Sequence, residues 1–176
     1  MVDEIFHLSA LDISQRIKKG EISCSEVVDS FLDRIEKINP KSNAITVVFE
    51  ELVRRMAGEL DRQKEKDSKK IFYGVPFTIK DNLDFFGVPT TKGLVALKDS
   101  MPTRSDPIVN RLMASGGIPL GKTNMPEMGM RLDTDNALFG RTLNPWDQNM
   151  TPGGSSGGDA VALATGMTPF GLGNDI

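Results

Sequence analysis

The sequence predicts an α/β domain. Two observations carry that expectation: segments with apolar residues at helical spacing alternate with short runs rich in β-branched residues, and no internal repeat or linker interrupts the alternation. A third is composition: 39% of the 176 residues are apolar, enough for a core, and the length suits one ordinary domain. Ser9 is an N-cap candidate for a first helix reaching about Lys19. Ser23 and Glu26 form a capping box for a second, in which Val27, Val28, Phe31, Leu32, Ile35 and Ile38 repeat at helical spacing until Asn39-Pro40 is expected to stop it. Ala44 to Phe49 reads as a strand. A charged helix over 51–65 follows, with Leu52, Met56 and Leu60 as its apolar stripe. Phe72 to Lys80 reads as another strand, and Asp106-Pro107 as a cap and first-turn proline for a helix through Met113. Ile118-Pro119-Leu120 reads as a brief strand, and Asp159 to Thr165 as a buried, Ala-rich helix.

Charge and rare residues exclude several functions. The balance of 21 basic and 24 acidic residues gives −3, which is no electrostatic footprint for nucleic acid. The single Cys24 makes neither an internal disulfide nor a cysteine-based zinc site, and no metal or other cofactor is expected. With His7 the only histidine, beside a helix where packing explains it, a Ser-His-Asp mechanism is not expected. No apolar run approaches the ~20 residues of a membrane span, and Asp3 and Glu4 stand where a signal peptide carries base, so the sequence reads as cytoplasmic. Twelve of the residues 51–70 are charged, whereas 149–176 carry only Asp159 and Asp175, so the front reads as solvated and the back as buried. The closing run Phe170-Gly171-Leu172-Gly173-Asn174-Asp175-Ile176 reads as interior.

Three segments could carry chemistry. Gly116 to Thr123 fits the phosphate-binding pattern G-x-x-x-x-G-K-[ST]. Its context is reversed, however: a helix precedes it and a strand-like triplet with a proline fills its middle, so a helix, a Gly116-Gly117 turn and a strand are expected instead of a nucleotide hydrolase. Thr151 to Gly158 sets two serines among four glycines ahead of the Ala-rich helix, which reads as a structured loop at a helix N-terminus rather than a flexible linker. Gly74 to Asn82 ends an apolar strand on Lys80; burial there would lower the amine's proton affinity and make a usable base, whereas exit to solvent or pairing with Asp81 is the plain alternative.

The runs G-V-P-F-T-I-K-D-N, T-T-K-G, G-K-T-N-M-P-E, N-A-L-F-G-R-T-L-N-P-W-D, T-P-G-G-S-S-G-G-D-A and G-L-G-N-D-I, in this order from about Tyr73 to Ile176, resemble the amidase signature family. The resemblance implies that family's fold, a mixed twisted sheet covered by helices and incomplete in this chain. Residues 1–176 would then be the N-terminal part of a single amidase domain, with a helical region to about 70 and the start of the core from about 71. It also implies hydrolysis of a carboxamide to carboxylate plus ammonia or amine through a Ser-cisSer-Lys triad. Lys80 matches the lysine and Ser155 the cis-serine that relays the proton, with Ser156, Gly153 and Gly154 in support. The nucleophilic serine is expected three residues beyond Ile176. Asp175 and the backbone N–H of Ile176 belong to the segment that binds substrate and oxyanion. Met128, Gly129 and Met130 match a stretch lining the acyl site, with core packing the alternative for the two methionines. Arg131 and Asp133 are candidates for specificity or plain solvated charges.

Expected partners are a small-molecule amide and the remainder of the polypeptide, without direct contact to nucleic acid or membrane; a homodimer stays open. Within the family, the alternative is the glutaminase subunit of a tRNA-dependent amidotransferase, passing ammonia to a partner. Outside it, the alternative is a non-catalytic fragment or interaction module.

Overall fold

A computed structural model describes residues 2–63, 67 and 69–175. The first helix, α1 (Ala10–Lys19), starts where Ser9 accepts the Asp12 N–H at 3.2 Å and ends at Gly20, whose φ of 75° is costly for any residue with a Cβ. The capping box forms at the start of α2 (Cys24–Ser42): Ser23 Oγ accepts the Glu26 N–H at 3.0 Å and Glu26 accepts the Ser23 N–H at 2.7 Å. The expected stop at Asn39-Pro40 is corrected. The helix runs on through Pro40 to Ser42, because the N–H that proline lacks would have bonded the carbonyl of the exposed Glu36, which water can satisfy. Asn43, at φ 51°, ends it instead, and Asn39 holds the exit by accepting the Ala44 and Ile45 N–H groups at 3.0 and 2.8 Å.

Strand β1 (Ile45–Val48) leads into α3 (Glu50–Asp61), where the expected stripe is displaced by one position. Val53 and Ala57 are its buried residues, while Leu52, Met56 and Leu60 are half-buried along the margin. The part of the expected 51–65 helix at residues 64–65 lies outside the described residues. Strand β2 is Pro76–Lys80, shorter than expected because Phe72 to Val75 form turns, and α4 (Pro107–Ala114) starts with Asp106 accepting the Ile108 N–H at 3.1 Å. Strand β3 (Ile118–Thr123) is longer than the expected triplet, α5 is Gly157–Ala164, and β4 (Gly171–Leu172) has too few side chains to signal a strand.

The sheet order is β1-β3-β2-β4, antiparallel between β1 and β3 and parallel in the other two pairs, so it is mixed. Every residue of β2 and β3 is buried, as expected for central strands covered on both faces. Helix α5 contacts all four strands, and α2 and α3 pack on each other and reach β2 and β3. In the parallel register Lys80 pairs with Thr123 and Ile79 with Lys122. Thr78, Lys80 and Thr123 therefore share one face, and Ile79 and Lys122 the other. No helix among the described residues is long and apolar enough to cross a membrane.

Candidate functional site

Lys80 closes β2 with only 1% of its surface exposed, so the alternative of an exit to solvent is corrected. Its ammonium reaches the glycine-rich loop, donating to Ser155 Oγ at 2.6 Å and to the Asn174 carbonyl at 2.7 Å. Pairing with Asp81 is corrected as well. Alternation sends Asp81 to the opposite face, where it lies 3.8 Å from the buried Lys122 and accepts from the Thr91 hydroxyl.

The loop that presents Ser155 is ordered by its own bonds. Thr151 Oγ1 donates to Asp133 at 2.7 Å and accepts the Gly153 N–H at 3.0 Å, and Thr134 Oγ1 donates to the Gly153 carbonyl at 2.9 Å. Gly153 takes φ 85°, and the Gly154–Ser155 peptide is cis. A Cβ on Gly154 would stand 2.8 Å from the Arg131 carbonyl oxygen, so the strand of backbone at 131–132 passes where only glycine fits. These contacts replace the linker alternative with a fixed loop.

Burial sets the electrostatics. Loss of water lowers the proton affinity of Lys80, while the charges of Asp159 and Asp175 push it back up. Asp159 is buried at the start of α5 and accepts from the Thr78 hydroxyl at 2.9 Å and the Thr123 hydroxyl at 2.7 Å; burial nonetheless pushes its carboxyl up to about 6. Behind the strand, burial lowers Lys122 and raises Asp81, and Lys122 also donates to the Leu83 carbonyl at 2.5 Å. An amine held neutral beside a serine hydroxyl can accept that hydroxyl's proton. Lys80 could keep one N–H on Asn174 and turn its lone pair to Ser155.

The other expected residues divide. Ser156 Oγ reaches the Asn174 carbonyl at 3.4 Å, and Ser155, Ser156, Gly154 and Asp175 line one open cleft of about 480 Å³. A Cβ on Gly129 would lie 3.5 Å from Ser155 Oγ, so this segment borders the serine. Met128 and Met130 are exposed, Met130 by 77%, which overturns core packing as their role. Arg131 is an exposed charge whose carbonyl flanks Gly154, whereas Asp133 is tied to Arg141 at 3.4 Å and to Thr151. Ile176 lies outside the described residues. Among the described residues no three His, Cys, Asp or Glu side chains gather as a metal site. Gly121, Lys122 and Thr123 are buried in β3 and offer phosphate no loop, as the reversed context implied.

Sequence reasoning missed four participants. By sequence Asp159 is the start of a helix and one of the two charges in 149–176, and a single acid in an Ala-rich segment is itself a signal. Thr78 and Thr123 are ordinary strand residues by sequence, and the Asn174 carbonyl is backbone that no sequence pattern exposes.

The family model described as Amidase matches residues 26–176. An indoleacetamide hydrolase of Bradyrhizobium diazoefficiens is 41% identical over 98% of this chain and 33% of its own length. A glutamyl-tRNA(Gln) amidotransferase subunit of Thermoanaerobacter pseudethanolicus is 36% identical over 98% of this chain and 35% of its own. Among solved structures, a fatty acid amide hydrolase superposes with a TM-score of 0.92 at 26% identity, covering 98% of this chain and 31% of that one. The chain spans about a third of the length of the curated relatives it matches.

Proposed function

The chain belongs to the amidase family, and on that premise we propose that the protein it comes from hydrolyses a small or medium carboxamide to a carboxylate and ammonia or an amine, with water as acceptor. The observation that carries this reading is the buried contact of 2.6 Å between Lys80 Nζ and Ser155 Oγ at the edge of a cleft. In the reaction, Ser155 Oγ takes a proton from a nucleophilic serine and passes its own proton to the neutral Lys80 amine. The serine oxygen attacks the amide carbon and forms a tetrahedral adduct, whose oxyanion is met by backbone N–H groups of the segment around Asp175 and Ile176. The proton then returns from Lys80 through Ser155 to the leaving nitrogen, and water repeats the sequence on the acyl-enzyme. In this reading the nucleophile comes from polypeptide following Ile176. Met128, Gly129 and Met130 wall the acyl side of the cleft, Ser156 and the glycines at 153 and 154 hold the relay, and Arg131 tunes substrate choice.

The reading extends to a cytoplasmic enzyme acting on small molecules without a cofactor, which a single-cysteine composition suits. A second reading is supported by the amidotransferase relative: the same chemistry would release ammonia from glutamine for a partner protein. Co-purification with such a partner, and glutamine hydrolysis that depends on it, favours that reading over a free-standing amidase.

The test is amide hydrolysis by the full-length protein. Lys80→Ala and Ser155→Ala are each expected to lower kcat by about a thousandfold or more, with an unchanged circular dichroism spectrum. Wild-type turnover in both variants overturns the assignment.

A further inference from the structure

We propose that Asp159 is a positioning residue of this site: fixed by Thr78 and Thr123, its carboxylate is the buried counter-charge that governs how firmly the Lys80 amine holds the relayed proton. The proposal rests on the amide-hydrolase reading above and deepens it.

The placement is dictated by the sheet. Thr78 and Lys80 are two apart on one face of β2, and Thr123 is the registered neighbour of Lys80 on β3. A carboxylate bonded to both threonine hydroxyls, at 2.9 and 2.7 Å, therefore lies on the face of the sheet that carries Lys80. Each carboxylate oxygen is engaged by a hydroxyl, so the charge is held near the amine instead of collapsing onto it. The amine's own hydrogen bonds go to Ser155 and Asn174.

The enclosure is tight. A Cβ on Gly171 of β4 would stand 2.6 Å from both Asp159 Oδ1 and Thr78 Oγ1, and a Cβ on Gly158 would stand 2.5 Å from the backbone of Asn124. Helix α5 is thus seated where its third residue must reach the two strands. A carboxylate buried with two neutral donors is expensive compared with a neutral residue of similar size. Such a cost in an otherwise apolar helix points to work done by the charge.

Among the described residues, two carboxylates act on the Lys80 charge. From α5 comes Asp159, and from the segment after β4 comes Asp175. Asp81 and Lys122 lie on the other face of the sheet and neutralise one another. Burial alone would leave the amine a weak base. The buried anion restores part of its basicity, so that Lys80 can take the Ser155 proton and keep it as ammonium while the adduct exists. Proton and charge balance: Ser155 loses its O–H proton to the lysine lone pair as it gains one from the nucleophile.

The experiment is the pH profile of kcat/KM and kcat for amide hydrolysis by the full-length enzyme, wild type against Asp159→Asn, with Lys80→Ala alongside. Without the anion, the acid limb is expected to move down by about one pH unit, and the plateau kcat to fall about tenfold with KM little changed. If Asp159→Asn does not fold, Asp159→Ser, small and uncharged, is measured in its place. An acid limb that stays put, whether or not the plateau falls, assigns Asp159 a merely structural role and overturns the proposal. Activity surviving in Lys80→Ala overturns the hydrolase reading itself. Loss of activity in Lys80→Ala with an unmoved limb in the Asp159 variant overturns only the counter-charge.

Discussion

Lys122 and Asp81 show how narrowly a buried ion pair is balanced. Both side chains are almost fully enclosed and stand 3.8 Å apart, with the ammonium also on the Leu83 carbonyl and the carboxylate on Thr91 and the Gly93 N–H at 3.4 Å. Burial drives each toward its neutral form; Asp81 is the main influence opposing this at Lys122, whereas at Asp81 the Thr91 hydroxyl opposes it first and Lys122 second. Lys122→Ala is therefore expected to cost about 3–5 kcal/mol in urea unfolding of the full-length protein, because it strands the carboxylate. Lys122→Met combined with Asp81→Asn should cost less than the two single changes added together. Additive costs would show that the two groups do not interact. Gly158 carries a different constraint, steric and not electrostatic. Alanine there would drive a methyl to 2.5 Å from the Asn124 backbone and 2.7 Å from the Ala44 carbonyl. Gly158→Ala is expected to lower Tm by several degrees although it raises intrinsic helix propensity. A higher Tm would mean that α5 is free to shift.

Among the elements, the two ends of α2 differ in what they would lose. Ser23→Ala removes one exposed cap and should cost about 1 kcal/mol. Asn39→Ala removes two acceptor bonds and the donor bond to the Ile45 carbonyl at 2.8 Å, all partly buried, and should cost at least twice as much by thermal or urea unfolding. Equal costs would place the strength of the helix elsewhere. The same helix marks the boundary of what the sequence makes legible. Its start is local chemistry, a serine and a glutamate three apart, and was readable. Its end is not, because Pro40 breaks a helix only where its missing bond matters, and solvent exposure of Glu36 is a tertiary fact. The α3 stripe slipped by one position for the same reason, since the neighbours choose which apolar residues are covered. Strand β4 was unreadable, being two residues with one side chain. At the site, the residues around Lys80 alone leave solvent exit and an Asp81 pair open, and only a likeness over many motifs points to Lys80 and Ser155 together. Asp159 needed the fold, because its meaning lies in two threonines that are 81 and 36 residues away.

At the scale of the whole molecule, the sheet gathers Lys80, Ser155 and Asn174 from distant segments, and the same burial that readies the site links its charges to stability. Asp159 is pushed up to about 6 in the fold, against about 3.9 when unfolded. The native state therefore binds this proton more tightly than the unfolded chain, so the group's contribution is fully favourable below about pH 4 and is lost as pH rises through about 6. Across that window the loss amounts to roughly 3 kcal/mol, at 1.36 kcal/mol per unit. Asp81, also raised by burial, drifts in the same direction, whereas Asp61, whose bonds to Ser25 and the Cys24 and Ser25 N–H groups hold it low, drifts oppositely. Comparing a variant with the wild type at each pH cancels those two contributions. Asp159→Asn has no proton to bind and should lack the first drift. Urea unfolding of the full-length protein at pH 4.5 and at pH 7.5 is expected to show Asp159→Asn gaining about 2 kcal/mol relative to wild type between the two conditions. A relative loss with rising pH would mean that the two threonines stabilise the anion beyond what burial costs, and a constant difference would mean that Asp159 titrates alike in the folded and unfolded chain.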